Sequence, residues 1–316
     1  MDGPALEVVE LSKVFRGKTP VTAVDRLSFA LGQGEILGLL GPNGAGKTTT
    51  IQMLLSTLKP SSGRILYWGE SLEHARASIL RQVGFASAYS RLPRRLTVGE
   101  NLDVFGRLYG VERSVRARRI DELLERFGVV DLKRRTMEGL SAGQTTRVTL
   151  AKAFLSRPRV ALLDEPTASL DPDIAVEVRE FVREQRESEG VSIVFTSHNM
   201  DEVARLCDRV IFLDRGRIAG SGTPDELAAS AATARLRLRV TAGLDRAIDR
   251  AGALGLTTTV QADTLEIELD LRELAGFLAD LAAHRVLYDE FAVQKPTLED
   301  YFLKLSRSSA ANGGPR

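Results

Sequence analysis

The chain has 316 residues, 43% of them hydrophobic, enough for one large packed domain or two. Its 43 basic and 42 acidic residues leave a net charge of +1, which argues against the nonspecific grip on nucleic acid that a basic protein has. The single cysteine, Cys207, excludes an internal disulfide, suits a reducing compartment and reads as a small core residue after Leu206.

Met1-Asp2-Gly3-Pro4 has neither the basic start nor the apolar centre of a signal peptide. No run approaches the ~18 apolar residues of a membrane span. The expectation is a chain soluble on its own, with any membrane role coming through a partner. Residues 5–11 alternate Leu6, Val8, Val9 and Leu11 with acids and predict an edge strand, after which Phe15 follows. Val21 to Leu31 predicts a second strand, and Gly32-Gln33-Gly34-Glu35 a turn. Ile36 to Leu40 is an apolar run expected as a buried strand.

The next residues are Gly41-Pro42-Asn43-Gly44-Ala45-Gly46-Lys47-Thr48, which fit G-x-x-x-x-G-K-[ST], the phosphate-binding P-loop. Thr49 to Leu58 follows as a helix, with Ile51, Leu54, Leu55 and Leu58 on one face. Strand, glycine loop and helix stand in the order the motif requires. The glycines let the backbone wrap an anion, and the N–H groups of the loop and of Lys47, Thr48 and Thr49 point at phosphate oxygens. Lys47 is expected to reach the β- and γ-phosphates and Thr48 to ligate Mg²⁺.

Ser61-Ser62-Gly63 is a turn, Arg64 to Gly69 a strand with Trp68 half-buried in its sheet, and Gln82 to Phe85 a short strand. Residues 89–157 then turn helical, which predicts a subdomain inserted between sheet strands. Asn101 to Tyr109 and Arg113 to Phe127 both carry apolar residues at helical spacing. Arg113, Arg116, Arg118 and Arg119 read as a solvated helix face. Val160 to Leu163 returns to the sheet as a strand buried on both sides. Asp173 to Arg186 is an amphipathic helix, Val191 to Thr196 a strand, Met200 to Leu206 a helix and Val210 to Leu213 a strand. Strands alternating with helices predict an α/β fold with a mainly parallel sheet.

Composition shifts near Pro224. The alanine-, serine- and threonine-rich residues 225–234 are expected to be a linker. Beyond it the order strand, helix, strand, strand, helix, strand (Leu236 to Val240, Leu244 to Leu254, Leu256 to Gln261, Leu265 to Leu269, Leu271 to Ala283, Val286 to Val293) is the ferredoxin-like arrangement. A last helix spans Leu298 to Leu305, and residues 306–316 are expected to be a disordered tail. The expected domains are therefore 5–224 and a small accessory domain, 235–305.

A P-loop alone does not choose among kinases, GTPases and transport ATPases. Asp164 and Glu165 end an apolar strand about 120 residues after the loop. Asp164, at the strand tip, can hold Mg²⁺, and Glu165 can polarise an attacking water. Leu140-Ser141-Ala142-Gly143-Gln144 precedes a helix that Ser141 can cap, giving a second anion-binding helix tip. On these residues the chain resembles an ATP-binding cassette (ABC) ATPase, and Leu140 to Gln144 resembles that family's signature sequence, with Ala142 in place of its first glycine. The resemblance covers residues 5–222. It implies that Ser141, Gly143 and Gln144 of one subunit complete the P-loop site of another, so that the active unit is a homodimer with two ATPs at its interface. It also implies that Phe15 stacks on adenine, that Ser169-Leu170-Asp171 couples the two sites, and that His198 contacts the γ-phosphate. The catalytic set is then Glu165, His198 and Lys47.

One departure stands out. The family usually has a glutamine near position 88 that touches Mg²⁺ and water and links to the membrane subunit. Here the run Val83 to Ser90 contains none, and Ala88 takes the place. Either Mg²⁺ keeps Thr48, Asp164, phosphates and water, or Ser87 or Ser90 substitutes. Pro296 to Phe302 resembles the ending of cassettes paired with separate exporter-type permeases. The reading is therefore an ATP-hydrolysing subunit that energises export through an integral membrane permease contacted near residues 86–102, at the cytoplasmic face of the membrane. The alternative is a soluble ABC ATPase acting on nucleic acid or ribosomes. One cassette with near-zero charge disfavours it, and no nucleic-acid partner is expected. A P-loop kinase is disfavoured by the signature and His198.

Overall fold

The structure, a computed structural model, describes residues 3–311 apart from 18, 89, 232, 233 and 271. Two compact units divide the chain between Pro224 and Asp225.

The first unit begins with β1 (Leu6–Phe15) and β2 (Val21–Leu31), then β3 (Ile36–Leu40) and α1 (Lys47–Leu54). Next come β4 (Ser62–Tyr67), β5 (Glu70–Ser71), α2 (Arg76–Leu80) and β6 (Val83–Ser87). Three helices follow, α3 (Val98–Leu108), α4 (Arg113–Arg126) and α5 (Ala142–Phe154). The unit closes with β7 (Val160–Asp164), α6 (Pro172–Glu189), β8 (Ser192–Thr196), α7 (Met200–Leu206), β9 (Arg209–Asp214) and β10 (Arg217–Gly222).

Two sheets form. One is antiparallel, in the order β2-β1-β4-β5; the other has six strands, in the order β10-β9-β3-β8-β7-β6. Within the second, β9, β3, β8, β7 and β6 run parallel and only β10 is antiparallel. Strands β3, β7 and β8 are buried at every position. That is why their sequences read as unbroken apolar runs rather than alternating ones. A single core joins the antiparallel sheet to the parallel one, through Leu6, Leu11, Leu27, Leu39, Met53, Leu54, Tyr67 and Leu162.

The residues 5–11 do not form an edge: β1 pairs with β2 on one side and β4 on the other. Alternation reports only that one face is buried, and both edges of such a strand remain free to pair. Trp68 lies past the end of β4, in a turn at φ 51, and its ring stacks on the Arg159 guanidinium at 4.1 Å. The arginine-rich helix face is only partly solvated. Arg116 is buried and binds Asp103 of α3 at 2.6 Å, and Arg119 donates to the Phe154 carbonyl at 2.9 Å. Arg116 lies four residues before Ile120 and Arg119 four before Leu123, on the inward face of α4.

In the second unit, α8 (Pro224–Ala231) occupies most of the stretch read as a linker. Its proline at the start, the acids Asp225 and Glu226 in its first turn and its alanines all favour helix. Then come β11 (Ala234–Ala242), α9 (Leu244–Ala253), β12 (Thr257–Gln261), β13 (Thr264–Leu269), α10 (Leu274–Ala283) and β14 (Leu287–Gln294). They form an antiparallel sheet in the order β12-β13-β11-β14, the ferredoxin-like topology. Leu236, Leu238, Ile267, Ala247, Phe277 and Leu281 make its core. The helix α11 (Leu298–Ala311) runs beyond Leu305, six residues into the stretch expected to be disordered. Residues 312–316 of that stretch, and Leu271, read as the first residue of a helix, lie outside the described residues.

Candidate functional site

Parallel strands place their C-terminal ends along one sheet edge. Here β3 runs into Gly41, β6 into Ala88, β7 into Glu165 and β8 into Ser197 and His198. Register does the rest. Ser87, Asp164 and Thr196 are direct partners across three adjacent strands. Asp164 therefore receives a hydroxyl from each neighbour: Thr196 Oγ1 donates to Oδ1 at 2.8 Å and Ser87 Oγ donates to Oδ2 at 3.2 Å. Both donors are neutral hydroxyls, so they orient the carboxylate without setting an opposing charge against it.

Glu165 follows at φ 53, a left-handed conformation that costs a non-glycine residue about 1–3 kcal/mol. Its N–H is fixed by Thr196 Oγ1 at 3.0 Å, and the kink swings the side chain toward the next loop. There the His198 N–H donates to Oε2 at 3.3 Å. His198 Nε2 lies 3.1 Å from Oε1 but without hydrogen-bond alignment, and the buried Oε1 has no hydrogen-bond partner among the described residues. Burial pushes the Glu165 carboxyl above its ordinary range, and His198 pulls it partly back. The imidazole itself is half exposed.

The P-loop wraps from β3 to α1. Gly41 sits at φ 144, and a Cβ there would stand 2.2 Å from the Leu213 carbonyl oxygen. Only glycine fits so close a passage of backbone past backbone. Gly46, at φ 103, is the N-cap of α1 and offers no side-chain cap. The first-turn N–H groups at Lys47, Thr48 and Thr49 thus lack an acceptor within the helix. Lys47 is buried, its amine donating to the carbonyls of Gly41 at 2.5 Å and Pro42 at 3.3 Å. Desolvation lowers its pKa, and the charges of Glu165 and Asp164 oppose that. Pro42, Asn43, Gly44 and Thr48 are exposed, and a Cβ on Gly44 would meet nothing within 4 Å.

The arrangement fits a triphosphate and a hard cation. Uncapped helix N–H groups and an ammonium face one open loop. Thr48 and Asp164 offer one hydroxyl and one carboxylate. Among the described residues, no three His, Cys, Asp or Glu side chains gather to hold a metal by themselves. A cation here would need phosphate and water oxygens as well.

Other expected residues lie apart from this cluster. Ser141 caps α5 in a reciprocal box: the Gln144 N–H donates to Ser141 Oγ at 3.2 Å, and the Ser141 N–H donates to Gln144 Oε1 at 3.0 Å. Gly143 packs so closely that a Cβ would stand 3.0 Å from the Ser169 carbonyl. Asp171 is the N-cap of α6 and is exposed. Phe15 is 43% exposed at the end of β1, with Lys13 Nζ 5.3 Å from its ring centre. No described hydrogen bond joins Ser141, Gly143 or Gln144 to the P-loop.

One participant escapes sequence reasoning. Thr196 is an ordinary strand residue, and only register reveals that it and Ser87, a candidate already from the sequence, bracket Asp164. The signal that could have found Thr196 is its place just before Ser197 and His198.

A family profile described as ABC transporter matches residues 24–168. The chain is 31% identical over 308 residues to the linearmycin resistance ATP-binding protein LnrL of Bacillus subtilis, covering 95% of this chain and 98% of that protein. It is 33% identical over 288 residues to the daunorubicin resistance ATP-binding protein DrrA3 of Streptomyces coeruleorubidus, covering 90% and 91%. A solved structure of an ATP binding subunit of an ABC transporter superposes with a TM-score of 0.67 at 29% identity, over 72% of this chain and 92% of that one. Matched almost end to end by such relatives, the chain belongs to the ABC transporter family, as one of its ATP-binding, ATP-hydrolysing subunits.

Proposed function

We propose that this subunit energises export through a separate membrane permease, by closing as a homodimer on two ATP molecules and reopening on hydrolysis. One observation carries the catalytic half of that reading. The buried Glu165 carboxylate, raised in basicity, keeps one oxygen without a hydrogen bond among the described residues, beside His198 at a strand tip near the P-loop. Such an oxygen can take a proton from water or orient it. His198 sits beside it and meets the γ-phosphate. Lys47 and the first-turn N–H groups of α1, including Thr49, hold the β- and γ-phosphates. Gly41 to Gly46 form the cradle, and Phe15, exposed at its strand end, stacks on the base. Mg²⁺, held by Thr48 and Asp164 with phosphate and water oxygens, would neutralise charge on the triphosphate. Ser87, already bonded to Asp164, steadies that carboxylate where Ala88 brings no donor.

The second half rests on the resemblance of residues 140–144 to the family signature. Ser141, Gly143 and Gln144 stand at an exposed helix tip, the place from which one copy reaches another's phosphate. Asp171 lies exposed at the start of α6 for the same contact. Among the described residues no helix is long and apolar enough to cross a membrane, so transport needs a membrane partner. The subunit then works at the cytoplasmic face of that membrane. Export is favoured because LnrL and DrrA3 are named for drug resistance.

The test uses Glu165→Gln, which is expected to bind ATP and barely hydrolyse it. With saturating Mg²⁺ and ATP, light scattering should report a dimer that reverts to monomer when nucleotide is removed. A variant that stays monomeric under those conditions would overturn the sandwich.

A further inference from the structure

Two loops of the site share one buried carboxylate that nothing above has used. Glu202 is the third residue of α7, and its side chain is almost wholly buried. Its Oε2 accepts from Ser197 Oγ at 2.6 Å and from Thr167 Oγ1 at 2.9 Å. Its Oε1 faces Arg179 Nη1 of α6 at 3.5 Å. Ser197 immediately precedes His198. Thr167 stands two residues after Glu165 and four before Asp171.

The local chemistry is unusual for a helix start. An acid at the third helical position ordinarily reaches back to the N–H of its own cap residue. Here the cap residue is Asn199; its N–H donates to Ser197 Oγ at 3.1 Å, and its side chain accepts the Glu202 N–H at 3.1 Å. Helix α7 is therefore capped without Glu202, and the carboxylate is turned inward to a different loop. Three donors converge on it, two hydroxyls and a guanidinium. Only an acceptor-only group satisfies all three, because an amide would turn an NH₂ toward one of them. Burying a carboxylate is costly, and these donors offset the cost.

We propose that Glu202 is a positioning residue. It ties the loop from Glu165 to Asp171 to the loop carrying His198, so that the water-activating carboxylate, the switch histidine and the residue facing the second copy keep one mutual geometry. A second tie runs parallel to it, since Thr196 Oγ1 binds both the Glu165 N–H and Asp164. Thr196 fixes the strand tips and Glu202 fixes the loops beyond them. The proposal rests on the roles given above to Glu165 and His198.

The experiment measures steady-state ATP hydrolysis by the full chain. Glu202→Ala should lower kcat about 10- to 100-fold, with KM moving less than about threefold, because misplacement costs turnover and not nucleotide binding. Glu202→Gln, which keeps an acceptor for the hydroxyls, should recover most of the loss. Thr167→Val and Ser197→Ala should each lower kcat, and together no more than the larger single change, since both act through one oxygen. If Glu202→Ala does not fold, those two milder variants and their combination decide the matter. A folded Glu202→Ala at wild-type kcat overturns the proposal, as does a loss that appears wholly in KM. Independent, multiplying effects of Thr167→Val and Ser197→Ala overturn it too. A wild-type chain that hydrolyses no ATP removes the catalytic reading and the tie with it. A wild-type chain that turns over while the variants match it removes the tie alone.

Discussion

The two units handle charge in opposite ways. At the tips of the parallel sheet, Asp164, Glu165 and Glu202 are each about 95% buried or more. Asp164 accepts from the neutral hydroxyls of Ser87 and Thr196, Glu202 from those of Thr167 and Ser197, and Glu165 from the His198 N–H. On the second unit's sheet, Arg235, Arg237 and Arg239 alternate along β11 with half-exposed side chains. Each of them faces an acid: Arg237 Nε lies 2.9 Å from Glu266, and Arg239 Nε 2.7 Å from Asp289. Neutral donors orient a carboxylate and leave its charge for an incoming cation or water. Ion pairs on a solvated sheet cancel themselves. The first arrangement leaves buried carboxylates with little opposing charge, at the expense of stability, and the second pairs charges on a solvated face.

The sharpest way to break this contrast is at Glu165. Glu165→Gln keeps the size and the contact with the His198 N–H but removes the proton acceptor. It should lower kcat by about 10²–10⁴-fold, the range of a lost general base, with ATP affinity changed little. Single-turnover hydrolysis alongside equilibrium nucleotide binding measures both. A variant near wild-type turnover would mean that the buried acid is structural. The backbone side of the same region answers to Gly41→Ala. The new Cβ would meet the Leu213 carbonyl at 2.2 Å, at a φ of 144 that disfavours any side chain. A loss of about 2–3 kcal/mol is expected, lowering the first thermal transition by roughly 5–10 °C.

How much of this was open to a reader of the sequence depended on periodicity. Fully buried strands such as β3, β7 and β8 announced themselves as apolar runs, and the P-loop by its fixed spacing. Edge or centre was not legible for β1, because pairing partners are chosen by the whole sheet. Strand β10 went unread: Arg217 to Gly222 is glycine-rich and largely exposed, so it lacks an apolar signal, and its pairing with β9 defines it. Arg116 looked solvated because charge usually is. Its position on the inward face of α4, opposite Asp103, decided otherwise. At the site, the motif residues were legible as types at spacings. Thr196 and Glu202 were not, since their roles come from strand register and a contact thirty-five residues away in the chain.

Lys152 sharpens the comparison from within the first unit, as a buried charge with no ion pair to an acid among the described residues. It lies on α5 with its amine 5.4 Å from the Phe85 ring centre and 5.3 Å from that of Phe105. Burial lowers its pKa from 10.5 to about 8. A folded-state pKa below the unfolded one means that folding works against the charged form. The penalty is full below about 8 and fades as pH rises toward 10.5. Lys152→Met should therefore be more stable than the wild type at pH 7, by less than full desolvation implies, because the two rings return part of the cost. The gap in melting temperature should shrink between pH 8 and 10.5. A gap that is constant or grows with pH would show that the rings and local water already satisfy the ammonium.

The smallest effect is expected where charges are most conspicuous. Arg237→Ala removes one member of a well-aligned pair, but Arg237 is more than half exposed and Glu266 about a third exposed to water. Exposed pairs of this kind contribute about 0–1 kcal/mol, and less as salt rises. A double-mutant cycle with Glu266→Ala, read by urea unfolding, should return a coupling near 0.5 kcal/mol at low salt and close to zero at about 1 M salt. Side-chain entropy explains the small value, since holding two long chains in one geometry offsets most of their attraction. A coupling of several kcal/mol that survives salt would mean that the β11 arginines are shielded from water in solution. The second unit would then resemble the nucleotide end in having covered charges, and its open sheet face would need a partner to cover it.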